Sequence, residues 1–284
     1  MGVVTAELAS IVVPVYNGMP YLREAIGSAL AQEYPYLEIV VIDNASTDGS
    51  GEWLDSIDDR RLRVVHRQST QPAPENWTQA INESQGTYVK LMCADDLIDP
   101  HTIEIQVADL KANAGAVMAA SRRRIIDARG TTMKANHGLE SLSGVVDGAV
   151  ALRNCCLAGT NTLGEAAAVL FDGDRIRAAM PWTATWPYMT DLATYANVLR
   201  DGMVVCDKRV LAAFRVTASS WSSTLLDEQP RQFRGWRDSV TSSGQVPFSR
   251  LDRLRSEVSL RARTLGRRIY FKKVARDARK AAND

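Results

Sequence analysis

Apolar residues fall along this chain in two rhythms. The short β-branched or apolar runs "SIVVPVY" (Ser10–Tyr16), "LEIVVIDN" (Leu37–Asn44), "LRVVHR" (Leu62–Arg67) and "YVKLMC" (Tyr88–Cys93) have the length and make-up of buried strands. Pro14 stops the first of them, and Asn17-Gly18 makes the turn that follows. Leu22, Ile26 and Leu30 then recur at a spacing of four, which predicts one helical face. Ser46, Thr47 and Asp48 stand where a helix after the second strand needs caps. Asp99 and Pro100 would open another helix after the fourth strand. Strand and helix alternate over residues 1–110, which predicts an α/β fold with a mostly parallel sheet flanked by helices.

The second half is less regular. "AVMAASRRRIID" and "AAAVLFD" read as strands on either side of a Gly- and Ser-rich stretch, "HGLESLSGVVDG". A helix is predicted from about Asp191, closed by Gly202, and "MVVCDKRVLAAFRV" supplies strands again. From about residue 250 the pattern is helical and basic. The expected division is therefore 1–110, 111–225 and a helical extension over 226–284.

Composition narrows the class. With 45% hydrophobic and 24% charged residues, the 284-residue chain has an ordinary soluble balance. No run of eighteen apolar residues predicts a transmembrane helix, and no basic-then-apolar leader opens the chain, so a cytoplasmic protein is expected. Cys93, Cys155, Cys156 and Cys206 have neither zinc-site nor disulfide-framework spacing and read as reduced thiols. His66, His101 and His137 are too scattered to suggest a metal site. Charge is uneven. From Phe248 to Asp284 there are twelve Lys or Arg against four Asp or Glu, a net of +8, leaving about −7 on the rest of a chain whose total is +1. In this tail Leu251, Leu254, Val258, Ala262, Leu265 and Ile269 recur at steps of three and four, which predicts an amphipathic helix. Such a helix can lie on an anionic bilayer, pack on its own domain, or join a second subunit in a homo-oligomer. Nucleic acid is not expected as a partner and is a poorer explanation of the basic run, which carries no reading motif.

Chemistry is expected beyond the carboxyl ends of the parallel strands, where open α/β sheets bind ligands. Three polar clusters meet that condition: Pro14, Tyr16 and Asn17; Asp43 and Asn44; Asp95 and Asp96. Asp43 could accept from a base N–H or a ribose hydroxyl, or cap the following helix. Adjacent carboxylates at Asp95 and Asp96 repel one another unless a cation is present, and oxygen ligands beside a phosphate suit Mg²⁺ or Mn²⁺. A solvated turn is the plainer alternative. Asp191 is an N-cap or a general base. Trp182, Trp186 and Tyr188 could offer flat faces to sugar rings or simply pack a loop. Gly159, Thr160, Asn161, Gly164 and Glu165 are candidates for a further wall of the acceptor pocket.

The stretches "SIVVPVYNGMPYLREAIGSALAQEYPYLEIVVIDNASTDGS" and "GTYVKLMCADDLIDP" together resemble a family 2 glycosyltransferase of the GT-A fold, over roughly residues 9–225. The resemblance implies an inverting transfer from a nucleoside-diphosphate sugar to a hydroxyl of a glycan, lipid-linked or small-molecule acceptor. It points to cell-envelope or polysaccharide synthesis in the cytoplasm or at the inner face of the membrane. It implies that Pro14, Val15, Tyr16 and Asn17 line the nucleotide pocket, with Asn44 and Asn76 nearby, and that Asp43 meets the base. It makes Asp95 the ligand of Mg²⁺ or Mn²⁺, Asp96 its helper and Asp191 the catalytic base. Trp182, Trp186, Tyr188 and Glu165 are then the acceptor side. The chain departs from the family pattern at three places. Cys93 stands where relatives carry the first aspartate of D-A-D-D, Glu75 stands where many carry arginine before Asn76, and Thr217 stands where many carry histidine in Arg-x-His. Arg215 and the metal are left to neutralise the diphosphate. The alternatives are a catalytically weakened nucleotide-sugar-binding relative and a sugar nucleotidyltransferase; the latter should carry a Gly-rich phosphate loop that "VPVYNGMPYL" lacks.

Overall fold

The computed structural model describes residues 7–183, 185–217, 225 and 227–281, with side chains through Ile269. The predicted strands form as β1 (Ala9–Val15), β2 (Leu37–Asp43), β3 (Leu62–His66) and β4 (Tyr88–Leu91). They run parallel in the order β3-β2-β1-β4. The sheet continues through β9 (Val169–Asp172), β6 (Ala116–Ile126), β10 (Met203–Arg215) and β5 (Leu97–Ile98). β9 is antiparallel to both neighbours, and so joins the β4 side of the sheet to the parallel β6–β10 pair. β7 (Thr132–His137) and β8 (Gly144–Asp147) pair antiparallel with β6 and β10.

Alternation along the strands explains why both faces are covered. Val12, Val40, Ile42, Val89 and Leu91 enter one buried cluster, while Ile11, Val13, Ile39 and Val41 enter the other. Burying each such side chain is worth roughly 1.5–3 kcal/mol, so a one-residue slip in register would be heavily penalised. The second face is capped by α1 (Leu22–Leu30), α2 (Ser50–Asp55) and α4 (Thr102–Ala112), through Leu22, Ile26, Leu54, Ile103 and Val107. The first face receives α3 (Ala73–Asn82), α5 (Gly148–Ala158), α6 (Gly173–Ala178) and α7 (Thr190–Val198). It also receives α8 (Gln229–Ser242), by Phe233, Trp236 and Val240, and the long α9 (Arg250–Ala281), by Leu260.

Several local expectations change. α2 opens after Gly49 in the left-handed region, with Asp48 Oδ1 accepting from its first N–H, that of Ser50. Ser46, Thr47 and Asp48 also bind the loop after β1: Asn17 N–H donates to Ser46 Oγ, Thr47 N–H to Asn17 Oδ1, and Met19 N–H to Asp48 Oδ2. The two quoted motifs are therefore one interlocked structure. α4 starts at Thr102, with Asp99 Oδ1 accepting from His101 N–H just before it. The Gly- and Ser-rich stretch is more than a separator. It contains β8 and leads into α5, whose N-cap Asp147 accepts from Ala149 and Val150 N–H. All four cysteines are free thiols, three of them buried. Among the described residues, no helix is long and apolar enough to cross a membrane.

Candidate active site

Register brings the polar ends together. Val15 pairs with Asp43, Asn44 N–H donates to Val15 O, and Met92 N–H donates to Val12 O. The chains leaving β1, β2 and β4 thus emerge on the same edge. There a cleft of about 860 Å³ opens, a size that takes a small-molecule ligand. Its lining includes Pro14, Tyr16 and Asn17 from the end of β1, and Cys93, Asp95 and Asp96 from the turn after β4. Arg123 on β6, Glu165 and Asn161 before β9, and Asp191 at the start of α7 complete the opposite wall.

The turn after β4 is built around Arg215. This residue is fully buried; its N–H donates to Asp96 Oδ1, its Nε to Asp95 O and its Nη2 to Glu24 Oε2, while its guanidinium lies over the Tyr21 ring. Arg215 therefore braces this turn, and it also lines the cleft with its guanidinium donating to Asp95 O, Asp127 O and Glu24 Oε2. Asp96 is also fully buried, and its Oδ2 has no hydrogen-bond partner. Ligand atoms of Cys93, Asp95 and Asp96 lie within 4.8 Å of one another. Two carboxylates, one with an orphaned oxygen, fit a divalent cation with a thiol as neighbour.

Electrostatics in the cleft run against ionisation. Burial raises the pKa of Asp95, and burial plus the Asp95 charge raise Asp96 well above the carboxylate range, with Glu165 and Asp191 adding to it. Asp191 is pushed up to about 7, first by desolvation and then by Glu165, with Arg123 opposing. Glu165 is held low because Arg123, itself 1% exposed, pairs with it through Nε and through Nη2 at 2.9 Å. One carboxylate is thus neutralised by protein, and three are left in want of a cation or a proton.

A stability prediction follows from Asp191. Its folded pKa of about 7 exceeds the ordinary 3.8, so the fold favours the neutral acid. That contribution is complete at low pH and is lost as pH rises from 3.8 through about 7. Without metal, Asp191→Asn should melt above the wild type at about pH 8, and the gap should shrink toward about pH 4. A gap independent of pH in calorimetric melts would show that Asp191 titrates normally.

Other expected site residues are placed differently. Val15 is fully buried in the core, behind the cleft wall. Asp43 is 4% exposed, accepts from Ser46 N–H and pairs with His66 Nδ1 at 3.0 Å; it lies outside the cleft lining. Asn44 and Asn76 also lie outside it. Asn44 clamps Gln71 through both backbone groups, and Asn76 is buried in α3. Trp182 is not an acceptor face: it is 2% exposed and meets Trp77 edge-on in the core. Trp186 packs against Gly235, likewise off the lining. Tyr188 and Glu165 do line the cleft, as do Gly159, Thr160 and Asn161 but not Gly164. Sequence reasoning missed Arg123, Lys134, His137 and Arg267, all on the lining. The signal for Arg123 was present: three consecutive arginines inside a strand force one inward.

Comparison with known proteins bears on this arrangement. Residues 10–163 match the profile described as Glycosyl transferase family 2. The chain is 27% identical over 221 residues to the Bacillus subtilis protein named as a teichuronic acid biosynthesis glycosyltransferase, TuaG, covering 76% of this chain and 82% of that one. It is 37% identical over 101 residues to glycosyltransferase GlyG of Streptococcus pneumoniae, which is 35% of this chain and about a third (34%) of GlyG. Among solved structures, residues 1–349 of S. aureus TarS in complex with UDP-GlcNAc superpose with a TM-score of 0.66 at 15% identity, over 93% of this chain and 73% of that fragment. The mannosyltransferase PcManGT of Pyrobaculum calidifontis, in complex with GDP-Man and Mn²⁺, gives 0.62 at 16% identity, over 97% and 80%. At these identities the two structures show a shared fold.

Proposed function

Because the chain belongs to glycosyl transferase family 2, we propose that its cleft transfers a sugar, with inversion, from a nucleoside diphosphate to an acceptor hydroxyl. The observation that carries this reading is the meeting in one cleft of the Asp95-Asp96 turn and of Asp191, a carboxyl raised to about 7. The TarS and PcManGT complexes, with UDP-GlcNAc and GDP-Man, support a nucleotide sugar as donor. TuaG's name supports an acceptor in cell-envelope polysaccharide synthesis. Such a donor would be met in the cytoplasm or at the inner face of the membrane.

Each wall has a part. Tyr16, 55% exposed at the cleft mouth, offers a ring to the base beside Asn17. Asp43 would reach the base only by turning from His66, so donor binding on that side includes a local exchange of partners. Glu165, Asn161 and Tyr188 form the acceptor wall. The acceptor oxygen attacks the anomeric carbon as its proton passes to the Asp191 carboxylate. The bond from that carbon to the diphosphate oxygen breaks, and the electron pair leaves with the diphosphate. A divalent cation, Mg²⁺ or Mn²⁺, held by Asp95 and Asp96 would supply positive charge for that leaving group.

A screen of UDP-, GDP- and dTDP-sugars with Mn²⁺ by thermal shift tests donor binding. At least one should raise the melting temperature, and a flat response across the panel would count against the proposal. A second reading, nucleotide-sugar binding without turnover, draws on Cys93. Its thiol is raised well above its usual value by burial and by the neighbouring carboxylates, so it is a poor partner for a hard cation. Cys93→Asp should tighten Mg²⁺ about tenfold in calorimetry and lower metal-free stability, since it adds an unpaired carboxylate. Unchanged Mg²⁺ affinity would mean that the first motif position takes no part in the site.

A further inference from the structure

The helix α9 has one face committed to the protein and another left exposed among the described residues. Asp252 pairs with Arg153, Ser256 Oγ donates to Cys156 O, Leu260 is buried, Arg263 donates to Ala158 O, and Arg267 donates to Gln229 and Thr160. Gly159, which closes α5 in the left-handed region, lets this face approach: a Cβ there would lie 2.7 Å from Leu260 N. The outward face is apolar. Leu251, Leu254, Val258, Leu265 and Ile269 are 55–63% exposed, with exposed Ala262 among them. At 3.6 residues per turn the two faces are about 160° apart.

We propose that this outward face of α9 rests on an anionic lipid bilayer. The six positions Leu251, Leu254, Val258, Ala262, Leu265 and Ile269 advance about 3.6 residues per step, so the apolar stripe runs straight along an unsupercoiled helix. A flat surface can meet such a stripe along its whole length. Arginines flank it, with Arg250, Arg261 and Arg268 to one side and Arg255 to the other, all exposed. Arg261 and Arg268 also reach Glu257 and Asp227 at the protein surface. Charge selects the occupant. A second copy would set one arginine-flanked stripe against another, whereas anionic headgroups complement the arginines as the apolar residues enter the acyl boundary. The stretch from Phe248 to Asp284 carries a net +8, which favours the same partner.

The placement has a consequence for substrate access, which rests on the transferase reading of the cleft. Arg267 on the committed face of α9 lines the cleft beside Thr160 and has its guanidinium 5.7 Å from the Tyr188 ring. The helix that meets the bilayer is thus also an acceptor-side wall. An acceptor anchored in the membrane would be held near that wall.

Vesicle flotation of the full chain tests the bilayer contact independently of catalysis. The wild type should float with phosphatidylcholine vesicles containing phosphatidylglycerol, be released by high salt, and stay down with phosphatidylcholine alone. The double variant Leu254→Glu, Leu265→Glu should lose at least about tenfold of the bound fraction. It should keep any nucleotide-sugar thermal shift of the wild type, because both residues face away from the cleft. Equal flotation of wild type and double variant would overturn the proposal. So would a wild type that ignores vesicles but runs as an oligomer dispersed by the double variant, which would make the stripe a protein interface. Loss of the thermal shift in both proteins would count against the transferase reading and leave the bilayer result standing.

Discussion

Asp191→Asn should bind donor as the wild type does and transfer sugar about 10²- to 10⁴-fold more slowly, the range that loss of a general base produces. The change keeps the size of the side chain at the start of α7, so packing there is preserved. What it removes is a proton acceptor. The residue sits in the cleft with its pKa at about 7, high enough for a base and low enough to be half-ionised near neutrality. The wild-type kcat/KM should therefore rise with pH and level off above an apparent pKa of about 7, whereas the variant's residual rate should show no such limb. Steady-state kinetics across pH, with donor affinity measured by calorimetry, separates the two quantities. Near-normal turnover, or a donor affinity that falls with the rate, would remove Asp191 from the role of base.

The second large effect concerns the metal turn. Asp95→Asn should abolish metal-dependent donor binding. A wild type held at about 100 times the dissociation constant of the metal–donor pair gains about 2.7 kcal/mol, or a shift of about 5 °C for a chain of this size. The variant should show almost none of that shift, yet melt at or above the wild type without ligand, because one crowded carboxylate has been neutralised. Differential scanning fluorimetry with Mn²⁺ and donor, added separately and together, reads both effects. A full shift in the variant would place the cation elsewhere. Arg215 provides a contrast. Its loss would loosen the turn on the Asp95 side, since its Nε donates to Asp95 O, while the bond to Asp96 Oδ1 comes from the backbone N–H and would survive.

Much of this was legible in the chain. The β-branched runs announced β1, β2 and β4, strands buried on both faces and mostly apolar, and also the half-buried edge strand β3. Asn17, Asp95 and Asp191, which line one cleft, could be picked out because several polar clusters fall at the same ends of the strands, although each alone also reads as a turn or a cap. Legibility failed where a side chain's fate depends on a distant partner. Nothing local says that Arg215 will be spent on Asp95, Asp96 and Glu24. Trp182 and Tyr188 are both aromatics in one loop, yet one meets Trp77 in the core and the other lines the cleft. Arg123 and Glu165 become a pair only when β6 and the segment before β9 are side by side. Asp147 caps α5 within a run read only as a Gly- and Ser-rich stretch between two strands.

The proposed function requires one cleft to hold both a metal-assisted donor site and a base at Asp191. The measurement that tests it most directly is nucleoside-diphosphate release from the panel of UDP-, GDP- and dTDP-sugars, with Mn²⁺, by wild type and Asp191→Asn side by side. The wild type should release nucleoside diphosphate from at least one donor and lose that release on chelation, and the variant should release little. Release that survives both chelation and the substitution would contradict the proposed function.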